Sequence, residues 1–401
     1  MTATFALKNR RVFASAARSI SKPETRFTLN GSDALERHLA TVCKRVHAGI
    51  SRIIPKHKLE GLALGGGYGR GEGGVLKTPA GDQPYNDLEF YVFVRGLSWL
   101  NERRYAKSLH KLAEELSLVA GIDLEFKIIS AASLRRSPQN LFYYDLIQGH
   151  QWLLGDERLF AGCKHQRDAE HMPLSEATRL LMNRCSGLLF ARDKLEQEHF
   201  SSEEADFVGR NIAKTELALG DAVLIAFGNY HWSCMERGRR LRELSVTEVL
   251  PWLDEVRHCH AVGVEFKLRP HRSLDSRPAL QEHFREVSSL ALRVWLWQEN
   301  RRLGCECRSA VGYASSRINK WPDTNSWRNR LANLRVFGPR ALLVPRNSRY
   351  PRERILNALV LLLWVRAQTS PTLTRKVRRE LLASESVALT SAYRQRWSRA
   401  R

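Results

Sequence analysis

Residues 62–94 read LALGGGYGRGEGGVLKTPAGDQPYNDLEFYVFV: an apolar run enters a glycine cluster and a second β-rich run follows. The glycines within residues 65–74 predict a tight loop, because glycine adopts backbone conformations that other residues rarely do. Residues 87–94 are rich in β-forming side chains and predict a strand. Because side chains alternate along a strand, Asp87 and Glu89 project from the same face. The segment therefore predicts strand, glycine loop and a second strand that carries paired carboxylates.

The flanking sequence predicts how these two strands are covered. Helical spacing of apolar residues predicts helices over residues 33–52 and 99–119, and period-two alternation predicts a strand over residues 122–129. Beyond about residue 160 the pattern changes to helices, with candidates at 174–195, 203–227, 245–256, 278–302 and 352–365, and a connection over 304–349. The predicted fold class is α+β, a small mixed sheet followed by a mainly α-helical domain.

The 401 residues favour two domains, for which we predict bounds of 26–165 and 166–401 after a basic flexible tail at residues 1–25. Lys and Arg exceed Asp and Glu by 22, an excess that favours an anionic partner. Residues 1–23 and 336–401 carry 16 of these net charges, so the excess is peripheral. Residues 1–23, which contain no Asp or Glu, resemble an organelle transit peptide, but a plain flexible tail is the favoured interpretation.

Two further features of the sequence bear on location. The seven cysteines follow no disulfide or zinc spacing, which predicts a reduced, cytoplasmic protein. The longest apolar run, residues 359–365, is too short to cross a bilayer, so no membrane partner is expected.

The predicted third strand offers further polar groups. Alternation places Asp123, Glu125 and Lys127 on one face of it, so a third carboxylate could stand beside Asp87 and Glu89 if the strands are neighbours. Three converging carboxylates repel one another unless a cation lies between them. Hard oxygen ligands suit Mg²⁺ or Mn²⁺, ions that also accept phosphate oxygens.

The glycine loop supplies a complementary group. Its backbone N–H groups, at positions such as Gly66 and Gly67, can approach phosphate oxygens closely, and Arg70 adds a positive charge. A glycine cluster alone is more often a plain turn, and an acid pair alone is more often a solvated face. The two in this order, with a third acidic strand further on, are less easily produced by chance.

These motifs resemble the signature of the polymerase beta-type nucleotidyltransferase superfamily, a Gly-Gly or Gly-Ser turn followed by Asp-x-Asp/Glu on a strand. Residues 66–72 are especially similar to bacterial uridylyl- and adenylyltransferases of nitrogen regulation, and residues 149–156 resemble the segment that closes the domain in minimal and aminoglycoside nucleotidyltransferases. The chain departs from the pattern in a longer gap, which implies an inserted loop at residues 75–84, and in the Glu at position 89.

The resemblance implies transfer of a nucleoside monophosphate from an NTP to an acceptor hydroxyl, with release of pyrophosphate. It implies Mg²⁺ (or Mn²⁺) held by Asp87, Glu89 and Asp123, favours Asp123 over Glu125, and makes Asp123 a candidate to help deprotonate the acceptor. Neither the base of the NTP nor the acceptor (small molecule, protein or RNA) follows from it. A non-catalytic nucleotide-binding or antitoxin-like interaction module with the same fold is the alternative.

The helical half offers one candidate of its own. Lys214 lies on a polar stripe with Asp221, which is most simply a structural ion pair. In the alternative, Lys214 reaches the triphosphate, as a lysine does in aminoglycoside adenylyltransferases, and Tyr230 and Arg210 are its neighbours. The basic residues near the C-terminus either bind RNA or form a solvated face.

Overall fold

A computed structural model describes residues 26–246, 250–273, 275–345, 347–366 and 369–400. The basic tail predicted for residues 1–25 lies outside these ranges. In the described ranges, none of the helices combines the length and the apolar character that a bilayer-spanning segment needs.

The N-terminal part contains a four-stranded mixed sheet. Its strands are β1 (Leu59–Leu64), β4 (Leu88–Val94), β5 (Leu124–Ile129) and β6 (Gln151–Leu154), in the order β5-β4-β1-β6. Strand β1 pairs antiparallel with β4 and β6, whereas β4 and β5 are parallel, with Glu89 opposite Glu125. The parallel pair is joined by a helical crossover, as parallel neighbours require.

Alternation along β4 separates the two faces of this sheet. Phe90 and Val92 are buried against α1 (Asp33–Ile53) and α3 (Ser98–Ala120) on one face. Tyr91 and Phe93 belong to a second core on the opposite face, with residues of α4 (Ala131–Arg136) and α5 (Leu141–Gln148). Asp87 and Glu89 share this second face, because they differ from Tyr91 by even numbers of residues.

The remainder is helical. Its helices are α6 (Leu174–Leu195), α7 (Ser202–Ala226), α8 (Cys234–Glu243), α9 (Leu253–Leu268), α10 (Arg277–Leu303), α11 (Ala310–Ser315), α12 (Ser326–Phe337), α13 (Pro351–Val365), α14 (Pro371–Leu381) and α15 (Leu389–Ala400). They enclose a continuous apolar core that includes Trp295, Leu359 and Tyr393. The predicted α+β class is confirmed, while the division at residue 165 stays a prediction.

Three segments differ from the sequence-based prediction. The expected loop at residues 75–84 is a two-stranded ribbon, β2 (Gly74–Thr78) and β3 (Gly81–Tyr85), which turns at Gly81 with φ +115°. Of the helix predicted over 245–256, residues 247–249 lie outside the described ranges, residues 250–252 are not helical, and α9 runs from Leu253 to Leu268. The connection at 304–349 contains α11 and α12, whose short lengths gave little periodicity to detect.

Candidate functional site

A cleft of about 520 Å³ lies between the second face of the sheet and helices α6, α7 and α9. The predicted site residues that line it are Gly66, Gly67, Arg70, Asp87, Glu89, Lys214 and Tyr230. They come from the glycine loop, from β4 and from the helical part of the chain. The fold therefore brings together residues that are far apart in the sequence.

The glycine loop forms α2 (Gly66–Gly69), a single turn at the edge of the cleft. Gly66 has φ +60°, and a Cβ at this position would lie 3.1 Å from Glu89 Oε1. A Cβ at Gly67 would lie 3.1 Å from the carbonyl oxygen of Glu72 and 3.4 Å from Lys267 Nζ. The turn is thus flanked by a carboxylate and an ammonium group, and larger side chains would intrude on both.

Glu89 is held in place by two neighbours on the sheet. Its Oε2 accepts hydrogen bonds from Lys127 Nζ at 2.7 Å and from the Tyr91 hydroxyl at 2.6 Å. Burial raises the pKa of Glu89, but the charge of Lys127 and these hydrogen bonds outweigh it and hold the pKa below its ordinary value. Burial, together with the charge of Glu89, raises the pKa of Tyr91. Glu89 is therefore an oriented anion.

The expected cluster of three carboxylates is not formed. Asp123 is exposed and outside the lining of the cleft, although its backbone oxygen accepts a hydrogen bond from Leu88 N. Across the described residues, no three His, Cys, Asp or Glu side chains are grouped so that they could hold a metal ion. Instead, Lys127 Nζ lies 2.7 Å from Glu89 and 3.5 Å from Glu125. The strands are neighbours as predicted, and Lys127, which was not among the predicted site residues, lies between Glu89 and Glu125.

Lys214 does not form the structural ion pair that was the simplest expectation. Asp221 pairs instead with Arg237 Nε at 2.8 Å and with His260 Nε2 at 3.1 Å. In the part of the chain that the structure describes, Lys214 has no carboxylate at ion-pair distance, and it faces the cleft. Burial, with repulsion from nearby cations including Arg184, lowers its pKa from 10.5 to about 8. Lys214 is therefore poised to bind an anion.

Lys267 is a cleft residue that the sequence did not reveal. It is half-buried on α9, close to the glycine turn. Burial lowers its pKa, as does repulsion from Arg70, and Asp87 and Glu89 partly oppose this. No motif marks Lys267 in the sequence, because only the packing of α9 brings it to the turn.

Arg70 and Tyr230 line the cleft, and both contact the carboxylate of Asp145. Arg70 Nη1 lies 3.4 Å from Asp145 Oδ2, and the Tyr230 hydroxyl is 3.2 Å from both Asp145 oxygens. Arg237 Nη1 donates to the Tyr230 hydroxyl at 2.9 Å. This network joins the sheet part to the helical part beneath the cleft. Arg210, expected as a further neighbour, is outside the lining and pairs with Asp206 at 3.1 Å.

Glu72, the last residue of the glycine motif, makes a second connection between the two parts. Its carboxylate accepts hydrogen bonds from Cys234 N at 2.8 Å and Met235 N at 3.3 Å, at the start of α8. An acid at a helix N-terminus pairs with unsatisfied N–H groups and with the helix dipole. The motif therefore serves both the cleft and the attachment of the helices.

The donor set of the cleft fits a partly hydrated divalent cation better than a closed metal cage. Asp87 and Glu89 share one face of β4, and Asp87 is half-buried at the cleft wall. Mg²⁺ is commonly held by one or two carboxylates together with waters and the phosphates of a substrate. Two carboxylates facing cationic residues across a cleft satisfy that requirement without a third acid.

No family model and no curated protein matches the sequence. Among solved structures, the chain is similar to a spectinomycin adenyltransferase from Enterococcus faecialis crystallised with ATP and spectinomycin. The sequences are 13% identical, the match covers 64% of this chain and 98% of that one, and the TM-score is 0.38. Function is therefore inferred from the residues of the cleft.

Proposed function

We propose that this protein is a metal-dependent nucleotidyltransferase that moves a nucleoside monophosphate from an NTP to an acceptor hydroxyl and releases pyrophosphate. One observation carries the proposal: a single cleft opposes the strand carboxylates Asp87 and Glu89 to the lysines Lys214 and Lys267, with a glycine turn between them. This arrangement fits a triphosphate, because its charge needs both a divalent cation and protein cations.

Each group has a separate role in this proposal. Asp87 and Glu89 would hold Mg²⁺ or Mn²⁺, which when bound supplies charge neutralisation at the phosphates. Gly66 and Gly67 let the backbone approach the phosphates without a clash. Lys214 and Lys267 bind the opposite side of the triphosphate and stabilise the charge that develops on pyrophosphate.

The network of Arg70, Asp145, Tyr230 and Arg237 in the cleft wall positions the two parts of the chain. Arg70 and Tyr230 keep the sheet and the helical part in register through Asp145, so that the lysines of α7 and α9 stay opposite β4. Their contribution to nucleotide binding is therefore indirect.

The test is release of pyrophosphate from each of the four NTPs, with Mg²⁺ or Mn²⁺, in the presence of cell extract as a source of acceptor. We expect Asp87→Asn to lower the rate by at least ~10²-fold, since oriented charge stabilisation is commonly worth that much. Asp82→Asn on the hairpin is the matched control, because Asp82 pairs with Lys77 outside the cleft. Equal activity of Asp87→Asn and wild type would contradict the proposal.

The lysine beside Glu89 favours a second candidate, a nucleotide-binding module without turnover. Lys127 Nζ lies 2.7 Å from Glu89 and 3.5 Å from Glu125, so a protein cation already accompanies one of the two proposed metal ligands. This candidate predicts that nucleotide binds and that Lys214→Met weakens it, while no NTP yields pyrophosphate with any extract. Direct binding measurements alongside the rate assay separate the two functions.

A further inference from the structure

A second charged surface lies on the face of the sheet opposite the cleft. Residues 37–59 contain six Lys or Arg and no Asp or Glu, and residues 95–111 contain five Lys or Arg against Glu102 alone. The two segments meet because α1 packs closely against α3 at Gly49. A Cβ on Gly49 would lie only 2.7 Å from Leu112 Cδ1. The fold thus concentrates on one surface the positive charge of two separate segments.

This surface is concave. One depression, of about 570 Å³, is lined by Arg45 and Arg52 of α1 and by Lys111 of α3. Another, of about 400 Å³, is lined by Lys58, which follows α1, and by Arg104 of α3, among others. The two depressions follow the same antiparallel pair of segments: the lining of the first lies within residues 45–53 and 108–116, and that of the second is Lys58 and residues within 95–105. We refer to the two depressions together as the α1–α3 groove.

Most of the charge in the groove is not neutralised within the protein. Arg95 pairs with Glu60 at 3.2 Å, and Lys111 lies 3.9 Å from Glu115. Over the described ranges, the lining cations that form no ion pair are Arg45, Arg52, Lys58, Arg103 and Arg104. A surface of this kind attracts polyanions such as nucleic acids. When the protein cations bind the phosphates, the counterions condensed on the polyanion are released into solution, which favours binding.

We propose that the α1–α3 groove binds single-stranded nucleic acid. Cations from α1, from Lys58 and from α3 lie on both sides of the open groove, where they can contact a flexible phosphate backbone. Trp99 lies at the start of α3, next to the second depression, with 60% of its surface exposed. An exposed aromatic ring beside a basic channel provides a stacking platform for a base. The site is additional to the proposed catalytic cleft, because α1 and α3 cover the other face of the sheet.

The experiment measures anisotropy of fluorescein-labelled single-stranded RNA and DNA of about 20 nucleotides, a length that exceeds ordinary single-strand sites. Wild type is compared with Arg52→Glu/Lys111→Glu across a series of NaCl concentrations. We expect the dissociation constant to rise at least ~10-fold and the salt dependence, as d log K/d log [NaCl], to fall in magnitude by about 1.4, the value for two lost phosphate contacts. The milder Arg52→Gln/Lys111→Gln variant should change both in the same direction, and thermal melting confirms that each variant folds.

Arg328→Glu/Arg330→Glu on α12 is the matched control, since both side chains are exposed, far along the chain and subject to the same change of charge. It should leave binding nearly unchanged. Equal weakening by the control, no weakening by the groove variants, or binding to phosphatidylserine vesicles without binding to either nucleic acid would each overturn the proposal. A preference for RNA or for DNA identifies the source of the strand.

Discussion

Replacing Lys214 with methionine is expected to weaken nucleotide binding and, at the same time, to stabilise the unliganded protein. The pKa of Lys214 is about 8, against an ordinary value of 10.5, because the side chain is buried beside Arg184, Lys267 and Arg210, with only partial compensation by Asp87. A pKa shift of one unit corresponds to about 1.4 kcal/mol, so burying the charged form of Lys214 in the unliganded protein costs ~3 kcal/mol. A bound triphosphate supplies the missing negative charge.

The sign of the pH dependence follows from this shift. Since the pKa is lower in the folded protein, the unfolded chain binds more protons between pH 8 and 10.5. Lys214 therefore makes the free energy of unfolding of the wild type increase as the pH rises through that window. Nucleotide affinity changes in the opposite direction, because neutral Lys214 no longer attracts phosphate. It should be nearly constant below pH 7 and fall by up to about tenfold per pH unit above 8.

Isothermal titration calorimetry with an NTP and Mg²⁺ at pH 7, 8, 9 and 9.5 measures the affinity, and urea denaturation measures the stability. Lys214→Met should bind ~10- to 100-fold more weakly at pH 7, approach the wild type near pH 9.5 and unfold at higher urea. The control is Lys77→Met, which removes an exposed lysine of the hairpin. The reasoning is refuted if Lys214→Met binds nucleotide as the wild type does, or if wild-type affinity is flat from pH 7 to 9.5.

Four further substitutions test the packing around the cleft. Gly69→Ala should lower the free energy of unfolding by ~1–3 kcal/mol, because its Cβ would lie 2.2 Å from a carbonyl oxygen of β1. Gly238→Ala in α8 should raise the free energy of unfolding by ~0.5–1 kcal/mol, because the new Cβ would meet only contacts of 3.5 Å or more and alanine restricts the unfolded chain. Urea denaturation measures the change for both glycine variants. Tyr230→Phe should cost ~1–3 kcal/mol by leaving buried partners unsatisfied, and wild-type stability would contradict the network. Glu72→Gln should lower the melting temperature through loss of charge at the start of α8, and an unchanged melting temperature would contradict that role.

Residue patterns close together in the chain predicted most of the long helices well, whereas shorter elements such as α8, α14 and α15 were not predicted. Periodicity predicted α6 with its observed bounds and α1, α3, α7, α10 and α13 within a residue or two. Alternation correctly placed Asp87 and Glu89 on the same face of β4, and the glycine cluster correctly predicted the turn before it. These properties depend on neighbours within a few residues, so the local sequence contains the information.

Tertiary structure alone decided which side chains meet. The parallel pairing of β4 with β5 sets Glu89 opposite Glu125 and Lys127 opposite Tyr91, and from there Lys127 reaches Glu89 while Asp123 stays exposed. Lys267 reaches the glycine turn only because α9 packs there, and Asp221, the partner expected for Lys214, pairs with Arg237 instead. Distances of this kind depend on strand register and helix packing, which are set by contacts between residues far apart in the chain. For that reason the local sequence determined the strand and the glycine turn that carry the site, whereas the packed fold determined which side chains line the cleft and how their charges are arranged.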